Sequence, residues 1–205
     1  MRHATDIFNE WALGGKDEGM EKNHASAVSE MLSCLTQDQS DPFSFIDAGC
    51  GNGWAVRKMK NHPLCQKAIG VDGAEDMIRK AGAIDPQGEY IFADLMIWNP
   101  EEKVDFIHSM EVLYYFENPA EIIHHMKSNW LKPGGKMIMG VDFYKEHEKS
   151  HSWPTDLNTQ MTLLSETDWE VIFMDNGFTN VKKFRSNMNG EFPGTLVVSG
   201  VLASS

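Results

Sequence analysis

Residues 45–56, FIDAGCGNGWAV, constrain the fold more than any other stretch: an apolar run ends in glycines at 49, 51 and 53, and a helix-like pattern starts directly behind them. An apolar strand that turns through bare backbone into a helix reads as the first unit of an open α/β sheet, where ligands lie beyond the carboxyl ends of the strands. With no β-carbons at these three positions, a small molecule can lie against the backbone. The free N–H groups at the helix start favour an anionic group, which implies a nucleotide-like ligand.

The rest of the chain repeats this unit. Strand patterns occur at FSFIDA, AIGVD, YIFAD, VDFIHS and KMIMGVDF, each flanked by Gly, Pro, Asn or Asp. Helix patterns fall at 54–61, 74–81 and 119–131, the last opened by Asn118 and Pro119. Near-continuous apolar strands alternating with helices predict a parallel sheet covered on both faces. After the fifth strand, LLSETDWEVIFMDNGF predicts a helix capped by Ser165, with Asp168 completing a capping box and Gly177 as the stop. TNVKKF and GTLVVSGVLA then read as a closing pair of strands. Upstream, 25–35 predicts an amphipathic helix, and the glycine-rich LGGKDEGM before it is expected to be mobile.

A chain of 205 residues with 41% hydrophobic content can close one core, so a single domain over 1–205 is expected, with a lid and helix in 1–40 and a catalytic core in 41–205. Eighteen Lys and Arg against 30 Asp and Glu leave a formal charge of −12, which repels nucleic acid and anionic membranes. Cys34, Cys50 and Cys65 form neither a CxxC pair nor an even framework, and the charged N-terminal stretch carries no apolar run. A soluble, cytoplasmic protein with reduced thiols is expected.

A dinucleotide fingerprint needs a small residue three past Gly51, and Trp54 stands there instead. The spacing Asp47, Gly49, Gly51, Gly53 resembles the first motif of the class I S-adenosylmethionine-dependent methyltransferases. The resemblance continues through AIGVDGAEDMI, YIFADL, VDFIHSMEVLYYF, LKPGGKMIM and DWEVIFMDNGFTNVKKF, in order and on the expected strand ends. It is nearest to the type 11-like, small-molecule branch. The resemblance implies a Rossmann-like three-layer α/β sandwich, its seven-stranded, mostly parallel sheet having an antiparallel last strand inserted beside the fifth. It also implies S-adenosylmethionine as cofactor and S-adenosylhomocysteine as product. Asp72 would take the ribose hydroxyls and Asp94 the adenine amino group, with the Leu95 backbone and Met77 around the ring. Asp47, Gly49, Cys50, Gly51, Gly53, Gly73, Ser109 and Met110 complete the expected cofactor site.

The sulfonium methyl is already activated, so transfer is an in-line displacement that asks mainly for alignment and exclusion of water. The acceptor site is expected in the loops after strands four and five, under the N-terminal lid. Tyr114 and Tyr115 either face a cation through their rings or fill the core. Asp142, Tyr144 and His151 follow strand five, where a histidine can act as general base, although His147 and His151 also lie in a charged run typical of a solvated loop. In the lid, Trp11 and His24 are candidates to close the pocket, with Glu18, Met20 and Lys22 beside them; His24 or Lys22 would reach the cofactor carboxylate.

The ubiquinone-biosynthesis O-methyltransferases read EVLEHV where this chain has EVLYYF, so Glu111 keeps only the first of their metal-linked positions. No metal is expected. The N-P-P-Y stretch of nucleic-acid amino-methyltransferases is absent as well. The expected partner is a small-molecule substrate, with no nucleic acid and no membrane, and the protein a monomer or homodimer. The rival readings are a protein side chain as acceptor and a non-catalytic cofactor-binding subunit. An aminopropyl transferase is disfavoured because no acidic pair follows strand four.

Overall fold

A computed structural model describes residues 1–203. Seven strands form one sheet: β1 (Phe43–Ala48), β2 (Cys65–Asp72), β3 (Glu89–Phe92), β4 (Val104–Met110), β5 (Leu131–Val141), β6 (Phe178–Ser186) and β7 (Thr195–Leu202). Their order is β3-β2-β1-β4-β5-β7-β6, parallel throughout except that β7 runs antiparallel to both β5 and β6. This is the topology the resemblance implies. The chain reverses direction across the sheet at β1, which puts the carboxyl ends of β1 and β4 side by side at the crevice where such sheets bind ligands.

The strands read as nearly continuous apolar runs because both faces are covered. On β1, Phe43 and Phe45 pack toward α2 (Lys16–Thr36) and α3 (Trp54–Lys60), while Ile46 and Ala48 point to the other layer. On β5, Ile138 joins the first group, and Met137, Met139 and Val141 join the second. That second layer holds α5 (Pro119–Asn129) and α7 (Glu166–Asp175), with the short α6 (Trp153–Asp156) in the connection before α7, and its core contains Trp130 and Trp169, neither exposed to solvent. Helix α4 (Glu75–Ile84) lies on the α2–α3 side, where Lys80 Nζ bonds Asp17 of α2. Asn118 caps α5 through Ala120 N–H, and Ser165 with Asp168 forms the expected capping box on α7.

The N-terminal segment differs from expectation. LGGKDEGM is helical apart from a single break: α1 (Ala4–Gly14) and α2 are separated by Gly15 alone, in the left-handed region at φ 71°. That residue closes α1 through its N–H to the Trp11 carbonyl and begins α2, a conformation in which glycine carries no β-carbon penalty. Long-range bonds hold the pair down. The Arg2 N–H donates to Asn158 O at 2.8 Å, the Asp76 N–H donates to Asn9 Oδ1 at 2.8 Å, and Asp17 accepts from both Asn52 Nδ2 (2.9 Å) and Lys80 Nζ (2.8 Å). The lid is therefore docked over the strand ends. None of the described helices is long and apolar enough to cross a membrane.

Candidate active site

The glycine turn closes onto the end of β2, where Gly49 and Cys50 N–H groups donate to Val71 O at 2.7 and 3.1 Å. Gly49, Gly51 and Gly53 have φ of 77°, 51° and 80°, so all three occupy backbone that side chains avoid. Their surroundings differ. A β-carbon on Gly49 would lie 2.1 Å from Val112 Cγ2, and one on Gly53 would lie 2.3 Å from the Tyr90 ring. One on Gly51 would meet nothing nearer than Met77 Sδ at 3.9 Å. Two glycines are thus required by packing within the protein, and only at Gly51 would a β-carbon point into open space. This corrects the expectation that all three make room for a ligand.

Asp72, at the end of β2, accepts from Gly51 N–H through Oδ2 and from Ala74 N–H through Oδ1, each at 2.8 Å. Burial raises its carboxyl from 3.8 to about 6 against the opposing effect of those two donors, and the Asp47 charge adds to the rise. Asp47 itself meets His108 Nδ1 at 2.7 Å across the β1–β4 pairing, and His108 Nε2 has no partner among the described residues.

Three cavities adjoin along the strand ends. The central one, about 90 Å³, is bordered by Gly51, Asp72, Met77, His108 and Met110. Gly49, Asp72, Phe8 and Val112 are shared with a second, about 460 Å³, that contains Gly73, Asp94 and Leu95. On the other side Met20, His24 and Glu111 are shared with a third, about 570 Å³, reaching Trp11, Tyr115, Trp153 and Phe192.

At the junction of the first and third cavities, His24 Nε2 lies 3.2 Å from Asp142 Oδ2. Glu111 accepts from the Tyr114 hydroxyl at 2.9 Å and from the Asp142 N–H. One donor atom from each of His24, Glu111 and Asp142 falls within 4.8 Å of the others, close enough to share a cation. Both acids are 7% exposed, and Asp142 Oδ1 has no partner among the described residues. Burial and the Asp142 charge push the Glu111 carboxyl far above the usual range, with His24 pulling the other way. Burial depresses the His24 imidazole, but its bond to Asp142 and the Glu111 and Asp142 charges prevail and raise it. Glu111 sits at φ 60°, outside the region side chains prefer, immediately after β4.

The family described as a methyltransferase domain matches residues 18–183. The chain belongs to the class I S-adenosylmethionine-dependent methyltransferases. Among curated methyltransferases, a trans-aconitate 2-methyltransferase of Azoarcus sp. (strain BH72) is 30% identical over 126 residues, 61% of this chain and 48% of that protein. A malonyl-[acyl-carrier protein] O-methyltransferase 2 of Ilyobacter polytropus is 26% identical over 156 residues, covering 72% and 60%. The chain thus spans about half to three fifths of the length of these relatives. Among solved structures, a putative methyltransferase in complex with the Trm112 methyltransferase activator of Haloferax volcanii superposes with a TM-score of 0.85 at 23% identity, over 99% of both chains.

Against this methyltransferase fold, the residues singled out in the sequence divide clearly. Asp47, Gly49, Cys50, Gly51, Asp72, Met77 and Met110 border the central cavity, and Gly73, Asp94 and Leu95 the second. Met77 borders the central cavity beside Gly51. Gly53 packs on Tyr90 and the Ser109 hydroxyl is spent on Ala48 O at 2.9 Å, and neither lines any of these three cavities. On the acceptor side Trp11, His24, Tyr114, Tyr115 and Asp142 converge on the third cavity.

Tyr144 and His151 do not. The Tyr144 side chain is buried, with its hydroxyl donating to Gly194 O at 2.7 Å, which ties the loop after β5 to the start of β7. His151 is exposed and its Nε2 donates to Lys145 O at 3.0 Å. His147 reverses its expectation too: it is 7% exposed, and its Nδ1 donates to Asp142 O at 2.7 Å. Lys22 is exposed and outside the three cavities. Sequence reasoning missed Phe8, Asn52 and Val112 as cavity residues. It also missed the acidic pair of Glu111 and Asp142, which forms only because β4 and β5 lie side by side.

Proposed function

We propose that the chain transfers the methyl group of S-adenosylmethionine to a small molecule by in-line displacement, without a metal. The observation that carries this reading is the continuity of the three cavities: cofactor along the second and central ones, acceptor in the third, the two meeting at Met20, His24 and Glu111. In this reading Asp72 receives the ribose hydroxyls and Asp94 the adenine amino group, and the bare Gly51 backbone lets the cofactor cross the turn. The docked α1–α2 lid excludes water. Alignment of acceptor nucleophile, methyl carbon and sulfur supplies most of the rate, a contribution on the order of 7–11 kcal/mol for well-oriented reactants. That the named relatives act on trans-aconitate and malonyl-carrier substrates supports a small acceptor.

Incubation with methyl-labelled S-adenosylmethionine and separate small-molecule, protein and RNA fractions tests the assignment. Label is expected in the small-molecule fraction and unaffected by a chelator. Label confined to protein or RNA, or activity lost to the chelator and restored by metal, would refute it.

A second reading concerns assembly. The Haloferax volcanii neighbour was solved with an activator, and here β3 is an open sheet edge with exposed apolar Ile84, Phe92 and Ile97 on or beside it. If a partner covers that edge, the isolated chain will self-associate, and Ile97→Glu will restore a monomer without loss of cofactor binding. A wild-type chain that is already monomeric at high concentration counts against it.

A further inference from the structure

The wall between the cofactor and acceptor cavities carries the strongest uncommitted chemistry in the molecule. Glu111 and Asp142 both reach it from buried positions, and Asp142 Oδ1 is left without a partner among the described residues. A buried carboxylate oxygen with no donor is costly unless something supplies one. Neither cavity is lined by a lysine or arginine, and the one basic side chain they share, His24, is already paired to Asp142 Oδ2. What the wall lacks is a cation with several N–H donors. Around it stand Trp11, Tyr114, Tyr115, Trp153 and Phe192, aromatic side chains of the kind that attract ammonium groups.

We infer that the acceptor is an amine, bound as its ammonium between Glu111 and Asp142, with Glu111 as the base that frees its lone pair. This rests on the cofactor placement proposed above and deepens it. The ammonium loses one proton to the Glu111 carboxylate, leaving a neutral amine. Its lone pair forms the N–C bond to the methyl carbon while the C–S bond breaks and its electron pair goes to sulfur. The products are a methylated ammonium ion, S-adenosylhomocysteine and protonated Glu111, which returns its proton to solvent. Positive charge moves from sulfur to nitrogen, toward the Asp142 carboxylate, which stays ionised while Glu111 holds the proton, so its field favours the transition state over the ground state.

The groups facing Glu111 come from three elements: His24 on α2, Asp142 after β5, and Tyr114 and Tyr115 on the turn after β4. His24, paired to Asp142 Oδ2, holds that carboxylate in place and acts as a positioning residue. The acceptor would thus differ in charge from the carboxylate substrates named for the curated relatives.

Sinefungin tests this without knowledge of the natural acceptor, because it carries a primary ammonium where S-adenosylmethionine carries its methyl. Calorimetry on the full chain should show sinefungin binding about tenfold or more tighter than S-adenosylhomocysteine, as a charge-assisted hydrogen bond provides. In Glu111→Gln and in Asp142→Asn that preference should shrink to about threefold or less, with S-adenosylhomocysteine binding as the control that each variant is folded. An equal preference in wild type and both variants overturns the inference. So does displacement of sinefungin by Mn²⁺, which would make the cluster a metal site. A wild-type chain that binds neither compound defeats the cofactor reading itself, a distinct outcome.

Discussion

Asp72→Ala is expected to weaken S-adenosylhomocysteine binding by about 2–4 kcal/mol, roughly 30- to 1,000-fold, the worth of one or two hydrogen bonds to a charged acceptor. The alanine removes the proposed acceptor of the ribose hydroxyls and frees the Gly51 and Ala74 N–H groups that Asp72 holds. The wild-type pH dependence provides an independent signature. The carboxyl titrates at about 6 in the folded chain, and the ribose hydroxyls need the ionised form. Affinity should therefore be level above that value and fall as the pH drops through it, by up to about tenfold per unit.

Stability of the unliganded protein follows the opposite sign. The folded pKa is raised above 3.8, so this group's stabilising contribution is full below that value and is lost as the pH rises to about 6. Asp72→Asn should abolish both dependences. Calorimetry across pH 5–8 decides the matter: an unchanged dissociation constant in Asp72→Ala would remove the ribose assignment.

The second large effect separates two glycines that look alike in the sequence. Gly53→Ala is expected to destabilise the fold by about 2–5 kcal/mol: about 1–2 for left-handed backbone and about 1–3 for overpacking against Tyr90. Gly51→Ala carries only the backbone cost, about 1–2 kcal/mol, since its β-carbon would meet nothing closer than 3.9 Å. Its methyl would occupy the proposed cofactor path, so the folded variant should bind S-adenosylhomocysteine at least about tenfold more weakly, as steric exclusion from a close backbone approach requires. Urea denaturation and calorimetry on the pair read both effects. Wild-type affinity in Gly51→Ala would mean that the cofactor does not cross this turn.

Much of the scaffold was legible. Near-continuous apolar runs bounded by turn residues located the strands, and Ser165 with Asp168 marked the start of α7 at the right residue, because a capping box is local chemistry. The spacing of Asp47, Gly49, Gly51 and Gly53 identified the turn for a similar reason: positive φ leaves a compositional trace. Gly14 and Gly15 misled the reading of the lid, since a glycine that ends one helix and starts the next looks like a mobile linker until Asp17 and Asn9 are seen bonded to distant segments. Tyr144 and His151 were plausible acceptor residues by position alone, yet their polar atoms are bonded to Gly194 and Lys145 carbonyls.

The sequence alone determined the strand order along the chain and the glycine turn, which depend on apolar runs and backbone requirements spanning a few residues, and its ordered motifs carried the resemblance to the family. Tertiary structure decided which polar groups meet. His24, Glu111 and Asp142 come together because the sheet order sets the ends of β4 and β5 next to each other and α2 packs across them. The shared negative field there belongs to buried geometry, and no local pattern in the chain records it.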